Sequence, residues 1–166
     1  MLGKDIYPDA TFTLRLSYGV VEGWNDPVHG ETKPFTYVSG LWDRATGAYP
    51  FNLGAKWVGK KDKIPGGTQM DFVSTNDIIG GNSGSPIVNK DGELVGLIFD
   101  GNIQSLVLDF LFDDTIARAV SVDSRAITES LRKVMSANGK ISSRKRTGAN
   151  AIAPLPTTVR RVVVFG

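Results

Sequence analysis

Lys90-Asp91-Gly92 stands between two apolar runs, Pro86-Ile87-Val88-Asn89 and Glu93-Leu94-Val95-Gly96-Leu97-Ile98-Phe99. Asp-Gly suits the positive backbone angles of a tight hairpin turn, so the chain reverses there and the two runs pair antiparallel. This commits the middle of the chain to antiparallel sheet. Met70 to Thr75 reads as another strand, opened by the turn residues Ile64-Pro65-Gly66-Gly67. From Thr11 to Glu22, Phe12, Leu14, Leu16 and Tyr18 are apolar at every second place, the pattern of a half-buried strand. Ala117 to Val122 reads as a further strand. Trp24 to Pro34 gathers Asn25, Asp26, Pro27, Gly30 and Pro34, which predicts a loop or a wide hairpin connection. Ser39 to Lys63 allows one or two short helical turns. Asp123 or Ser124 caps a predicted helix from Arg125 to about Met135, with Ile127, Leu131 and Val134 on one face. No internal repeat is visible.

At 166 residues and 41% hydrophobic positions the chain is long enough for one domain with a core. Its formal charge of +2 is spread over scattered acids and bases, so neither nucleic acid nor an anionic membrane is expected as a partner. There is no cysteine, which removes disulfides, cysteine-bound zinc and thiol nucleophiles. One histidine and dispersed carboxylates offer no clustered ligand set, so no metal or cofactor is expected. No window has the length of a membrane span, and the start carries no export signal. The domain is placed at residues 1–138. Residues 139–166, with Ser142-Ser143-Arg144-Lys145-Arg146 and Pro154-Leu155-Pro156, read as a flexible basic tail. The end of that tail, Val159 to Phe165, has strand propensity and is suited to pairing with an exposed sheet edge.

Between the strand ending near Thr75 and the hairpin lies Gly80-Gly81-Asn82-Ser83-Gly84-Ser85-Pro86. A serine hydroxyl is a weak nucleophile, and a catalytic one needs exposure on a tight turn, a neighbouring base and backbone donors for the oxyanion. Without side chains at Gly80 and Gly81 the chain can bend so that the amides of Gly81 and Ser83 converge. A Gly-Asn-Ser-Gly string also serves as an ordinary turn or an anion nest. Two other catalytic motifs are excluded by residue: the α/β-hydrolase elbow requires glycine where Ser85 stands, and a P-loop requires Gly-Lys-Ser/Thr. The order glycine, polar residue, serine, glycine, small residue, proline and returning hairpin fits the trypsin-like pattern.

Phe72-Val73-Ser74-Thr75-Asn76-Asp77-Ile78, the serine loop, and Gly92 to Asn102 together closely resemble the bacterial dipeptidyl-peptidase 7 and dipeptidyl-peptidase 11 family, serine peptidase family 46. Tyr7-Pro8-Asp9-Ala10, Leu14 to Gly19 and Arg118 to Asp123 resemble it too, so the likeness runs from about Tyr7 to Met135. The resemblance implies an all-β fold: the second β-barrel of a trypsin or chymotrypsin-like double barrel, followed by a carboxy-terminal α-helix. It implies Ser83 as nucleophile, with the amides of Gly81 and Ser83 as oxyanion hole. Asp100 falls where the family holds the substrate's amino group. Gly101 falls at the base of the primary specificity pocket, where glycine goes with an apolar residue before the cut and arginine with an acidic one. Asp100-Gly101-Asn102 is also good turn chemistry in its own right. Asp77 is a pocket or turn carboxylate with no role assigned.

A serine triad also needs histidine and a carboxylate. The one histidine, His29, lies in the polar run Asp26 to Glu31 and reads as a solvated loop residue. The family takes both missing groups from its first barrel, and no residue here matches them. The resemblance therefore implies a fragment of a serine dipeptidyl-peptidase that acts on peptides with a free amino terminus. Its partners would be the absent first barrel and helical domain, and the parent's place the periplasm or cell surface. A trypsin-like endopeptidase fragment and a non-catalytic peptide-binding module remain the alternatives.

Overall fold

The computed structural model describes residues 14–136 and 161–165. Seven strands form one antiparallel sheet in the order β1 (Leu16–Val20), β9 (Arg161–Phe165), β6 (Pro86–Asn89), β7 (Leu94–Gly101), β8 (Ala119–Asp123), β5 (Gln69–Ser74) and β4 (Phe35–Tyr37). The sheet curls. Val21 bridges to Ser74, and Val20 and Thr75 are tied by Thr75 N donating to Val20 O and Val20 N donating to Thr75 Oγ1. The result is a curled antiparallel half-barrel flanked by short helices, the all-β class expected.

The expected hairpin is β6 and β7, with Pro86 opposite Leu97 and Ile87 opposite Gly96. Gly92 takes a φ of 76° in the turn the Asp-Gly pair predicts. Beyond Ile98 the pairing of β7 with β8 slips: Ile98 faces Ser121, whereas Asp100 faces Val120. Phe99 is therefore an extra residue, a β-bulge that re-aims the end of β7.

Alternate residues of these strands point inward. Phe72, Ile87, Val95, Ile98, Ala119, Val162 and Val164 make the main core, with Val21, Phe35 and Ile78 packed against it. A second cluster, Val38, Ile64 and Val134 with Leu41, Trp42, Trp57 and Met70, fixes the segment from residue 38 to 64 against the helix end. That segment holds the expected helical turns as α1 (Ser39–Arg44) and a single 3₁₀ turn, Lys61–Lys63.

The predicted helix is α2 (Ser124–Glu129), which widens into a π-turn over Ser130–Val134. Asp123 is its cap, accepting from the backbone amide of Arg125 and from that residue's guanidinium. Burial pushes the Asp123 carboxyl above the usual range, against the pull of Arg125.

Of the two options for Trp24 to Pro34 the structure has the hairpin: β2 (Trp24–Asp26) and β3 (Gly30–Thr32) pair as a small separate sheet. One region differs from the reading of the sequence. Arg161–Phe165 belongs to the sheet rather than to a solvated tail. It lies between two strands instead of on an edge, with Val162 and Val164 buried. Residues 139–160 of the predicted tail, and the amino-terminal motif around Tyr7, lie outside the described residues.

Candidate active site

The serine loop starts from a buried anchor. Asn76, two residues beyond β5, is 1% exposed. Its amide nitrogen donates to Ser17 O of β1 at 2.8 Å and to Val162 O of β9 at 3.4 Å, and its Oδ1 accepts from Ser74 Oγ at 2.7 Å. One side chain thus ties three strands at the point where the loop leaves the sheet.

The loop then folds on itself. Asn82 N donates to Ile79 O, Ile79 N donates to Asn82 Oδ1, and Ser85 N donates to Asn82 O. Gly81 and Gly84 have φ of 103° and 89°, values that L side chains rarely adopt, so glycine is required at both. Gly84 N donates to Ile98 O and Ile98 N to Ser85 O, which seats the loop on β7. Among the described residues the amides of Gly81 and Ser83 donate to no protein group. Ser83 is exposed, and its Oγ donates to the carbonyl of Phe99 at 3.3 Å. The bulge in β7 brings that carbonyl to the serine.

Asp100 and Gly101 follow directly on the same strand end. Asp100 is exposed, with Oδ1 accepting from the amide of Gly101 at 2.8 Å. A Cβ at Gly101 would overlap Ser105 Oγ, which is itself fixed by donating to Asn102 O. Asn102 clamps the neighbouring backbone: its Oδ1 accepts from Arg118 N, its Nδ2 donates to Ile116 O, and its amide donates to Arg118 O. Ser83, Gly81, Asp100 and Gly101 therefore share one end of the β6–β7 hairpin.

His29 is elsewhere. It sits in the β2–β3 turn with its side chain 81% exposed, and its Nδ1 lies 3.0 Å from Asp26 Oδ1. It makes no contact with Ser83. Asp26 also accepts from Gln104 Nε2 at 3.0 Å, which holds the small hairpin against the segment after Gly101. The backbone amides of His29 and Val28 donate to the Asp26 carboxylate and hold it near pKa 2, below the ordinary 3.8. A carboxylate depressed on folding contributes stability above its unfolded pKa, and that contribution is lost as pH falls through the folded value. The difference in Tm between the wild type and Asp26→Asn is therefore full above about pH 4 and shrinks towards pH 2. A pH-independent difference in thermal melts would contradict this.

A cavity of about 600 Å³ lies beside the loop, with Arg15, Tyr18, Asp77, Asn82, Phe112 and Val164 in its wall. Burial raises the pKa of Asp77 and Arg15 opposes the rise. Ser83, Asp100 and Gly101 are not part of that wall. Sequence reasoning missed the Asn76 anchor, the Phe99 bulge and the Ser105 contact. A buried asparagine just past a strand end was the one local signal on offer, since polar groups placed there must find partners. Among the described residues no three metal-ligating side chains gather.

The model of the Peptidase S46 family matches residues 1–142. "Asp/Glu-specific dipeptidyl-peptidase" of Shewanella putrefaciens is 35% identical over 166 aligned positions, covering 82% of this chain and 23% of the relative. "Dipeptidyl-peptidase 7" of Phocaeicola vulgatus is 40% identical over 131 positions, covering 72% of this chain and 18% of the relative. Among solved structures, Porphyromonas endodontalis DPP11 in complex with substrate superposes with a TM-score of 0.74 at 24% identity, over 82% of this chain and 21% of that one. The chain thus spans about a fifth of the length of the relatives it matches.

Proposed function

Because this chain belongs to the Peptidase S46 family, we propose that it is the nucleophile-bearing part of a serine-type dipeptidyl-peptidase, with Ser83 as the attacking residue. The carrying observation is the exposed Ser83 hydroxyl on a glycine-shaped loop whose Gly81 and Ser83 amides are uncommitted. In this reading the Ser83 oxygen adds to the peptide carbonyl carbon and its proton passes to an imidazole. The negative oxygen that results is held by the two amides. Collapse expels the amine, which takes the proton back, and leaves a dipeptidyl ester on Ser83 for water to cleave. His29 is committed to Asp26 and away from Ser83, so the imidazole and its carboxylate come from the part of the relatives that has no counterpart here. The chain by itself is then nearly inert.

Asp100, exposed beside the serine, is assigned to the substrate's free amino group, where an ammonium would displace its contact with the Gly101 amide. Gly101 leaves the pocket base without a side chain, which favours an apolar residue before the cut. A periplasmic or cell-surface place for the parent belongs to the same reading; no described helix is long and apolar enough to cross a membrane.

The test uses a full-length S46 enzyme in which this sequence replaces the corresponding carboxy-terminal part. It should release dipeptides from free peptides with an apolar residue before the cut and leave acetylated peptides intact. Cleavage of acetylated peptides at a comparable rate would point to an endopeptidase instead. Gly101→Arg should move the preference towards acidic residues only when Ser105→Gly accompanies it, because Ser105 occupies the space of the new Cβ. The ratio of kcat/KM for acidic over apolar substrates reads this, with a change of at least tenfold expected for the pair, about 1.4 kcal/mol of differential binding. An unchanged ratio in the folded double variant would remove Gly101 from the pocket.

A further inference from the structure

The connection between β7 and β8 is pinched together at its two ends, where Asn102 N donates to Arg118 O and Asn102 Oδ1 accepts from Arg118 N. Inside that pinch Ser105 turns back over Gly101: its amide and its hydroxyl both donate to Asn102 O, at 2.9 and 2.7 Å. A Cβ at Gly101 would overlap Ser105 Oγ and lie 3.0 Å from Ser105 Cβ. On that side of Gly101 the open space is therefore bounded by Ser105, and its extent depends on where residues 102–105 are held.

The hold comes from the small β2–β3 hairpin, a two-stranded sheet separate from the main one. Asp26 ends β2 and is 9% exposed. Its two carboxylate oxygens have different tasks. Oδ1 closes the hairpin's own turn, accepting from the amides of Val28 and His29 at 2.9 and 2.8 Å, with His29 Nδ1 at 3.0 Å. Oδ2 accepts from Gln104 Nε2 at 3.0 Å, 78 residues further on. The turn does not need this second bond, since Oδ1 already closes it. What the bond fixes is the residue next to Ser105: a carboxylate can only accept, so it decides which end of the Gln104 amide faces the hairpin. The start of the same hairpin is tied by Arg118, which donates to the carbonyls of Glu22 and Gly23. The hairpin thus braces the β7–β8 connection near both of its ends.

We propose that Asp26 is a positioning residue for the primary specificity pocket: through Gln104 it sets where Ser105 stands against Gly101, and so how large a side chain before the cut can enter. The inference rests on the assignment of Gly101 to that pocket and deepens it, since it moves part of the control of substrate size to a separate hairpin.

Gln104→Glu tests this, because it keeps the size of the side chain and replaces the donor that Asp26 needs with a second carboxylate, while the Oδ1 bonds of the turn stay. Adding Asp26→Asn moves the donor to the other partner: the asparagine Oδ1 still accepts from Val28 and His29, and its Nδ2 donates to the new glutamate. The enzyme is the full-length S46 protein completed with this sequence. There Gln104→Glu should raise kcat/KM for phenylalanine over alanine before the cut by at least about fivefold, through KM with kcat held. The Asp26→Asn/Gln104→Glu pair should return the ratio to that of the unsubstituted enzyme. Both substrates carry the same amino group, so the ratio cancels any effect on its binding. A merely structural role would lower Tm without moving the ratio. A ratio unchanged in the folded variant, or shifted and not restored by the pair, would overturn the proposal.

Amide hydrogen exchange in this chain alone reads the positioning without catalysis. The amides of Asn102 and Ser105 should exchange about tenfold faster in Gln104→Glu and regain their protection in the pair. Equal exchange in all three forms would overturn the proposal whatever the activity. A completed enzyme that cleaves nothing, with exchange following the expected pattern, would remove the peptidase reading while upholding the tie between Asp26 and Ser105, so the two fail separately.

Discussion

In a full-length S46 enzyme carrying this sequence as its carboxy-terminal part, Ser83→Ala lowers kcat by on the order of a millionfold, about 8 kcal/mol of barrier, with KM little changed. The size follows from what the hydroxyl does. In the proposed mechanism, addition of Ser83 to the carbonyl splits peptide cleavage into two easier steps, and alanine would remove both the nucleophile and the acyl intermediate. In the proposed reading KM is little changed because the residues assigned to binding, Asp100 and Gly101, lie on β7, to which the Ser83 hydroxyl is tied through its bond to the Phe99 carbonyl. Residual catalysis of about a thousandfold over water is expected from the amides of Gly81 and Ser83 acting on an attacking water. Stopped-flow or endpoint release of a fluorogenic dipeptide reads the loss. A variant retaining more than about a hundredth of the turnover would place the nucleophile elsewhere.

The second large effect is on stability. Arg118→Ala costs about 3–5 kcal/mol through lost packing and unpaired buried acceptors, a substantial part of a typical domain's 5–15 kcal/mol. Arg118 is only 3% exposed, and its guanidinium is paired with carbonyls rather than a carboxylate. It donates to the carbonyls of Glu22, Gly23, Asp114, Thr115 and Ala117. Removing it leaves those acceptors unpaired at a buried junction and opens a cavity besides. The junction joins the β2–β3 hairpin and the residue 114–117 segment to the start of β8, opposite Gly101. A fall in Tm of about 10 °C is expected for a chain of this size. Arg118→Lys, which keeps the charge but not the fork of donors, should fall between the two. A change in Tm below about 2 °C for the alanine variant would contradict the account.

The parts of the fold legible in the sequence are those with a local cause. Asp91-Gly92 between apolar runs could only reverse the chain, and the Asp123 cap announced its helix. Strand β5 ran into glycines that its own geometry then required at 81 and 84. What stayed hidden depends on distance in sequence. Arg161–Phe165 displays its strand propensity openly, yet nothing local says that it lies between β1 and β6 rather than on an edge. Strand β4 is three residues long beside Pro34, too short for a period to register. The 3₁₀ segment Ile103–Asp109 escaped because Ile103 and Leu106 are exposed, so its apolar residues do not trace a buried face.

The same division holds at the candidate site. Ser83 and Gly81 stand out in the sequence because a serine among glycines before a hairpin is a local pattern, whereas the roles proposed for Asp100 and Gly101 come by resemblance alone. The bulge at Phe99 adds one residue to a strand, and an alternating pattern gives no sign of one extra residue. Nothing in the local sequence marks Arg118 as buried, and the convergence of three nearby carbonyls with those of the distant Glu22 and Gly23 buries it.

The most direct test is fluorophosphonate labelling of three folded proteins: this chain alone, the full-length S46 enzyme completed with it, and the completed enzyme carrying Ser83→Ala. The account predicts label on the completed enzyme only. Labelling that survives Ser83→Ala, or a folded and completed enzyme that takes no label, would contradict the assignment of Ser83 as the nucleophile.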